Sequence, residues 1–89
     1  MKIKEGFVLR EVAGQSVVIG VGQMSEQFHG MIRLNGTGTE IWKGLTRGDA
    51  PEAIAEQLTK TYDVDAERAL ADVNAFVADA RKHGFLDED

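Results

Sequence analysis

The order of two hydrophobic periodicities constrains this chain more than any other feature. The first 34 residues carry short, strand-like apolar segments, and from residue 35 to residue 83 the apolar residues recur every three or four positions, as in amphipathic helices. A small sheet cannot bury its apolar face alone, so the helices must cover it. We therefore predict one α+β domain over residues 1–89, with a winged helix-turn-helix-like fold: a three-stranded antiparallel sheet followed by three helices.

Three strands are predicted, over residues 7–13, 16–21 and 28–34. The first two form a hairpin in which Gly14 and Gln15 suit a type II′ turn, because glycine tolerates the positive φ of the first central position. The third strand lies at a sheet edge. Its two faces differ in side-chain character, with Phe28, Gly30, Ile32 and Leu34 on one face and His29, Met31 and Arg33 on the other.

The three helices are delimited by capping residues. Asn35 caps the first helix, Asp49 caps the second and forms a capping box with Glu52, and Asp65 caps the third. Gly84 is the expected C-terminal stop of the third helix. Residues 1–6 and 87–89 are expected to be frayed ends.

Composition excludes several classes of protein. The chain has 89 residues and no cysteine, so it can form neither a disulfide framework nor a thiolate metal site. No apolar run approaches the roughly 18 residues of a membrane span, and the N-terminus does not resemble a signal peptide. We expect a cytoplasmic protein without a membrane partner. Residues 1–48 carry a net charge of +2 and residues 49–89 a net charge of −7.

Catalysis and nucleic-acid binding find little support in the sequence. There is no nucleophile–base set and no cofactor motif, and the two histidines would need carboxylates to form a metal site. We therefore expect no enzymatic activity, no cofactor and no metal. The alternative is a winged-helix DNA-binding regulator, which needs a basic recognition helix. The third helix instead mixes Arg68, Arg81 and Lys82 with four carboxylates, so we expect no nucleic-acid partner.

A set of short segments in a particular order resembles a known family. The segments are Gly30-Met31-Ile32-Arg33-Leu34-Asn35, Ile41-Trp42, Ile54-Ala55 with Gln57-Leu58, Tyr62-Asp63-Val64-Asp65, Asp72-Val73 with Phe76, and Gly84-Phe85-Leu86. Together they resemble the PQQ-synthesis protein D (PqqD-like) family over nearly the whole chain. The resemblance implies a RiPP recognition element, a peptide chaperone of natural product biosynthesis. Such a domain binds the leader of a ribosomally made precursor peptide and presents it to a modifying enzyme, often a radical SAM maturase.

The resemblance also implies where the leader binds: as a strand added to the third strand, in a groove closed by the third helix. An edge strand has unpaired backbone groups that an incoming peptide can satisfy. On the third helix we favour the margin that carries Phe76 as the groove wall. The predicted peptide-binding residues are Phe28, His29, Gly30, Met31, Ile32, Arg33, Leu34, Ala69, Asp72, Val73, Phe76, Asp79, Ala80 and His83.

Simpler interpretations remain open at the level of sequence. Phe76 and Trp42 also suit a plain core position, and the edge strand also suits pairing with a second copy, which would make a homodimer. The first helix departs from a typical family member in its glycine-rich start at residues 36–38. The sequence names neither the precursor nor the modifying enzyme, and it does not distinguish the PQQ pathway from another one.

Overall fold

The computed structural model describes residues 1–28 and 30–88. Within them lie the strands β1 (Lys2–Ile3), β2 (Phe7–Val12), β3 (Gln15–Gly20), β4 (Met31–Leu34) and β5 (Leu86–Asp87). The helices are α1 (Met24–Gln27), α2 (Gly36–Arg47), α3 (Pro51–Thr61) and α4 (Ala66–Lys82). Strands β2, β3 and β4 form an antiparallel sheet with β3 in the centre, and β1 pairs with β5. The predicted α+β fold is confirmed, with α2, α3 and α4 as its three helices.

The core lies between one face of the sheet and the helices. On that face Leu9 of β2 and Ile32 of β4 lie opposite Val18 of β3, which is fully buried. The helices contribute Trp42, Leu45, Leu58 and Val73 to the same cluster. Full burial of each such side chain stabilises the fold by about 1.5–3 kcal/mol, which is why a chain without disulfides can fold around this single core.

Two of the three predicted helix caps are confirmed. The side chain of Asn35 accepts a hydrogen bond from the N–H of Gly38 in α2, and that of Asp65 accepts one from the N–H of Arg68 in α4, each at 2.7 Å. The third cap is wrong. The N-cap of α3 is Ala50, without a side-chain hydrogen bond, because the Asp49 carboxylate instead pairs with Arg47 at 3.0 Å.

The third strand is shorter than predicted. It begins at Met31, whereas Phe28 is the C-cap of the short helix α1 and Gly30 lies in a bend. The segment before β4 contains the short helix α1, which was not predicted. The N–H of Phe28 bonds to the carbonyl of Met24, so Phe28 completes a helical turn instead of extending the ladder. His29 lies outside the described residues.

The hairpin turn differs from the prediction by one residue. Its central residues are Ala13 and Gly14, whose φ values of +54° and +79° belong to a type I′ turn. The predicted turn would have paired Val18 with Glu11. The observed register pairs Val18 with Leu9 on the core face, so burial of two apolar side chains determines the register even though Ala13 must adopt a left-handed conformation.

Both chain ends are more ordered than predicted. Ile3 of β1 lies opposite Leu86 of β5, and both side chains are buried, with 6% and 7% exposure. Arg81 forms a forked ion pair with Glu88, the shortest distance being 2.6 Å. Hydrogen bonds from Arg81 lower the pKa of the Glu88 carboxyl below its ordinary value. Asp89 lies outside the described residues. No helix in residues 1–28 and 30–88 combines the length and apolar character that crossing a bilayer requires.

Replacing Ala13 by asparagine should stabilise the protein. Asparagine tolerates the left-handed conformation that costs alanine about 1 kcal/mol or more, so we expect the free energy of unfolding to rise by roughly 0.5–1 kcal/mol. Urea unfolding measures the change. The matched control is Ala53→Asn on the exposed side of α3, where lower helix propensity should destabilise the protein by about 0.5 kcal/mol. A loss of stability at both positions would contradict the type I′ turn.

The Arg81–Glu88 pair should make stability depend on pH. Because the folded-state pKa of Glu88 is lowered, its contribution is fully present above the ordinary glutamate pKa and is lost as the pH falls through the lowered value. The stability difference between the wild type and Glu88→Gln should therefore be largest near neutral pH and vanish in acid. Urea midpoints across this range measure it, with Glu56→Gln as a control for loss of a surface carboxylate. A difference that stays constant with pH would contradict the role of the pair.

Candidate functional site

The sheet edge formed by β4 is open within residues 1–28 and 30–88. The residues that flank a two-residue hairpin turn form a hydrogen-bonded pair, and bonding then alternates along β3. With the observed register, Ile32 and Leu34 bond to β3, whereas the backbone groups of Met31 and Arg33 point away from it. No backbone hydrogen bond from the described part of the chain reaches these outward groups. The edge therefore presents two N–H donors and two C=O acceptors.

A groove of about 780 Å³ lies beside this edge, between β4 and α4. Its apolar surface comes from three directions: Ile32 from the sheet, Trp42 from α2 and Phe76 from α4. Phe85, from the segment after α4, also lines it. The complete lining is Ile32, Arg33, Leu34, Asn35, Thr37, Gly38, Ile41, Trp42, Asp72, Ala75, Phe76, Asp79, Ala80 and Phe85. An apolar groove beside an open strand edge suits an extended peptide whose alternate side chains enter the groove.

The junction between β4 and α2 is held by a local hydrogen-bond network around Asn35. Its side-chain oxygen accepts hydrogen bonds from the N–H of Gly38 at 2.7 Å and the hydroxyl of Thr37 at 3.2 Å. Its carbonyl accepts one from the Thr39 hydroxyl at 2.8 Å. Because Asn35 directly follows the edge strand, this network fixes the direction in which the chain leaves the groove.

The glycine-rich start of α2 has a packing role. A Cβ at residue 36 would lie 2.8 Å from the hydroxyl oxygen of Tyr62, and one at residue 38 would lie 2.9 Å from the capping oxygen of Asn35. The same Cβ at residue 38 would lie 3.6 Å from the ring of Phe76. Glycine at these positions lets the first turn of α2 approach both its own cap and the groove wall, at the cost of weaker helix propensity.

The rim of the groove on α4 carries two carboxylates that have local partners. Asp72 lies 3.4 Å from the Arg68 guanidinium, and Asp79 lies 3.6 Å from Nδ1 of His83. The His83 ring also stacks on Phe85, with centroids 5.6 Å apart. The rim is thus polar and partly charge-compensated, and the floor is apolar.

The structure brings together about half of the predicted peptide-binding residues. Those that line the groove are Ile32, Arg33, Leu34, Asp72, Phe76, Asp79 and Ala80, so the groove lies along the predicted margin of the third helix. Ala69 and Val73 have no exposed surface and belong to the core between α4 and its neighbours. The remaining described residues lie around the groove: Phe28 packs against Phe7 and Phe85, Gly30 and Met31 are exposed, and His83 lies beside Phe85.

Sequence reasoning missed part of the groove floor. Ile41, Trp42 and Phe85 are absent from the predicted peptide-binding residues, yet all three line the groove. Ala75, Asn35, Thr37 and Gly38 also line it. One signal was available: Ile41 and Trp42 are adjacent on α2, and two adjacent apolar residues make a stripe wide enough to face both the core and a neighbouring cavity.

The described residues show no cluster typical of metal binding. No group of three or more His, Asp or Glu side chains that could hold a metal ion occurs within residues 1–28 and 30–88. Among the described residues that line the groove, two are aspartates and none is a histidine.

Comparison with known proteins identifies the family. The family model for coenzyme PQQ synthesis protein D (PqqD) matches residues 13–86. The chain belongs to the PqqD family. No curated protein is significantly similar to it in sequence.

Two solved structures share the fold of this PqqD-family chain. TbiB1 in complex with the TbiA(beta) leader peptide has a TM-score of 0.73 and 23% identity, over 98% of this chain and 100% of that chain. A lasso peptide synthetase B1 complexed with its leader peptide has a TM-score of 0.74 and 21% identity, over 94% and 93% of the two chains. These matches show that the sheet and helices of this chain are arranged as in the two solved structures.

Replacing Asn35 by alanine should loosen the β4–α2 junction of this PqqD-family domain. Loss of the cap should lower the free energy of unfolding by about 1 kcal/mol. Asn35→Asp keeps an acceptor at the positive end of α2 and should remain close to the wild type. Thermal and urea unfolding of both variants measure the difference. Equal destabilisation by the two substitutions would show that the side-chain acceptor is not what stabilises this junction.

Proposed function

We propose that this chain is a RiPP recognition element: a non-catalytic adaptor that binds the leader of a ribosomally synthesised precursor peptide and presents it to a modifying enzyme. The proposal is based on one observation: the edge of β4 is open and lies beside an apolar groove on α4. The two solved structures that share the fold are both complexes with leader peptides. Because ribosomal precursors are made in the cytoplasm, the adaptor acts there.

In the proposed complex the leader adds a strand to the outer edge of β4. The outward groups of Met31 and Arg33 allow at most four backbone hydrogen bonds. At about 1 kcal/mol each, these bonds contribute about 4 kcal/mol, which alone corresponds to a millimolar Kd. Ordering a flexible peptide opposes even that affinity. Backbone pairing therefore positions the leader, and other contacts must supply most of the affinity.

Apolar side chains of the leader supply the remaining affinity by entering the groove. In an added strand, alternate side chains point towards α4, where Phe76 forms the apolar wall and Trp42 lies in the floor. One fully buried leucine or phenylalanine contributes about 1.5–3 kcal/mol. One or two such side chains bring the complex from the millimolar to the micromolar range. Specificity then depends on which leader residues face the groove.

The polar rim favours a peptide over nucleic acid. The exposed surface of α4 beside the groove carries Asp72 and Asp79, and carboxylates repel a phosphate backbone. Backbone donors and acceptors along a strand edge match a peptide in an extended conformation. We assign to the leader interface the residues predicted from the sequence, apart from the buried Ala69 and Val73. The floor residues Ile41, Trp42 and Phe85 are added to it.

An NMR titration tests the proposed function. Isotope-labelled protein is titrated with the synthetic leader of the precursor encoded nearest to this gene, with a scrambled peptide as control. We expect shifts concentrated on β4 and on the groove side of α4, and none with the scrambled peptide. Shifts of equal size with both peptides, or no shifts at near-millimolar leader, would overturn the proposal.

Replacing Phe76 by alanine should weaken leader binding more than it weakens folding. Phe76 is half-buried and lines the groove, so its truncation removes apolar contact with the peptide and should lower affinity about tenfold or more. The matched control is Val77→Ala, one residue further along α4 and buried away from the groove. It should lower stability and leave affinity unchanged. Fluorescence anisotropy and urea unfolding measure the two quantities. Equal affinity losses in both variants would mean that Phe76 is an ordinary core residue.

A further inference from the structure

The face of the sheet that points away from the helices has a distinct surface. The cross-strand register places two rows side by side on it: an apolar row of Val8, Ile19 and Met31, and a row in which Val17 lies between Arg10 and Arg33. Val12 extends this face at the turn. We call the surface formed by these residues the back face. The core cluster of the helices packs against the opposite face, through Val18 and Leu34.

The back face is apolar where a solvated sheet surface is expected to be polar. Met31 and Val12 are 58% and 57% exposed, among the most exposed large apolar side chains of the described residues. Val17 is only 3% exposed although it does not belong to the core cluster. Its direct neighbours across both strand pairs are Arg10 and Arg33, whose long aliphatic stems can shield it.

The charge of the back face is opposite to that of the chain as a whole. The protein has a net charge of −5, yet both charged residues in the two rows are arginines. Among the described residues, neither Arg10 nor Arg33 forms an ion pair or a side-chain hydrogen bond. They lie two strands apart, so their Cα atoms are separated by about 10 Å. Two free guanidinium groups beside an apolar row are complementary to carboxylates that flank an apolar side chain.

We propose that the back face docks a second protein whose surface carries carboxylates about 10 Å apart beside an apolar side chain. Resting on the proposed function, we infer that this protein is the modifying enzyme that receives the leader. The back face shares Met31 and Arg33 with the outer edge of β4, and Arg33 is its one member that lines the groove. The outward backbone groups of both residues lie in the plane of the sheet, so a leader can pair with them while the back face is occupied. A second copy of this chain is a poorer occupant, since symmetric contact through this face would bring four arginines together. The face is small, which suits a transient contact.

Charge reversal at Arg10 tests the docking surface. Arg10 lies on β2, remote from the groove lining, so Arg10→Glu should leave leader affinity unchanged. It should weaken binding to the purified modifying enzyme encoded beside the precursor by about tenfold or more, and Arg10→Gln should have a smaller effect. The matched control is Lys60→Glu, the same charge change on exposed α3, which should bind the enzyme like the wild type. Enzyme binding is measured by interferometry and leader binding by anisotropy.

The two assays separate failure of this inference from failure of the proposed function. Leader binding by the wild type with no effect of Arg10→Glu on enzyme affinity, or with no enzyme binding at all, overturns the docking surface and leaves the adaptor intact. Absence of leader binding overturns the adaptor itself. Equal loss in Arg10→Glu and Lys60→Glu would indicate a general charge effect and also overturn the assignment. Self-association abolished by Arg10→Glu in sedimentation would assign the face to a second copy and overturn the enzyme as occupant.

Discussion

Edge-to-face contact among four aromatic rings is the interaction on which the rest of the structure depends. The ring of Phe85 lies 5.2 Å from that of Phe7, 5.6 Å from that of Phe28 and 6.1 Å from that of Trp42, measured between centroids. These rings come from the segment after α4, from β2, from the loop before β4 and from α2. Each such pair contributes about 0.5–1.5 kcal/mol beyond burial. The cluster therefore joins segments that are far apart in sequence.

The same cluster shapes the candidate site. Trp42 and Phe85 are members of the cluster and also line the groove. Because the floor of the groove is part of the core, a substitution in the floor also affects the stability of the fold. Phe76 lies on the wall, outside this cluster, and is half-buried, so a ligand can cover its remaining surface. This difference makes Phe76 the more informative position at which to separate binding from folding.

Features that depend on local chemistry could be predicted from the sequence, and features that depend on distant contacts could not. Asn35 and Asp65 are within three residues of the N–H groups they cap, so a short pattern identifies them. The β1–β5 pairing joins Ile3 to Leu86, and no local sequence pattern near either residue predicts this pairing. At the hairpin, the turn preference of glycine favoured a type II′ turn that begins at Gly14. Burial of Leu9 opposite Val18 in the core contributes more to stability than this preference and determines the register.

The same distinction applies to the site. The placement of the site between the third strand and the third helix came from the family resemblance, whereas the apolar stripe that contains Phe76 follows from helical periodicity, which is a local pattern. Which buried residues also line a cavity depends on how closely α2 and the C-terminal segment approach β4. Ala69 and Val73 share the apolar stripe with Phe76, yet they face the core, because one helical stripe covers both the interior and its margin. Periodicity alone does not distinguish the two sides of a stripe.

The shortness of β4 has a kinetic consequence for the proposed adaptor. Four residues of strand span only about 14 Å, so a leader pairs along a segment of similar length. With a micromolar Kd and an association rate constant of about 10⁵–10⁷ M⁻¹s⁻¹, the bound leader dissociates within about 0.1–10 s. A complex with this lifetime lets one adaptor bind many precursor molecules in succession. A longer edge strand would bind each precursor for longer and slow the release of the modified product.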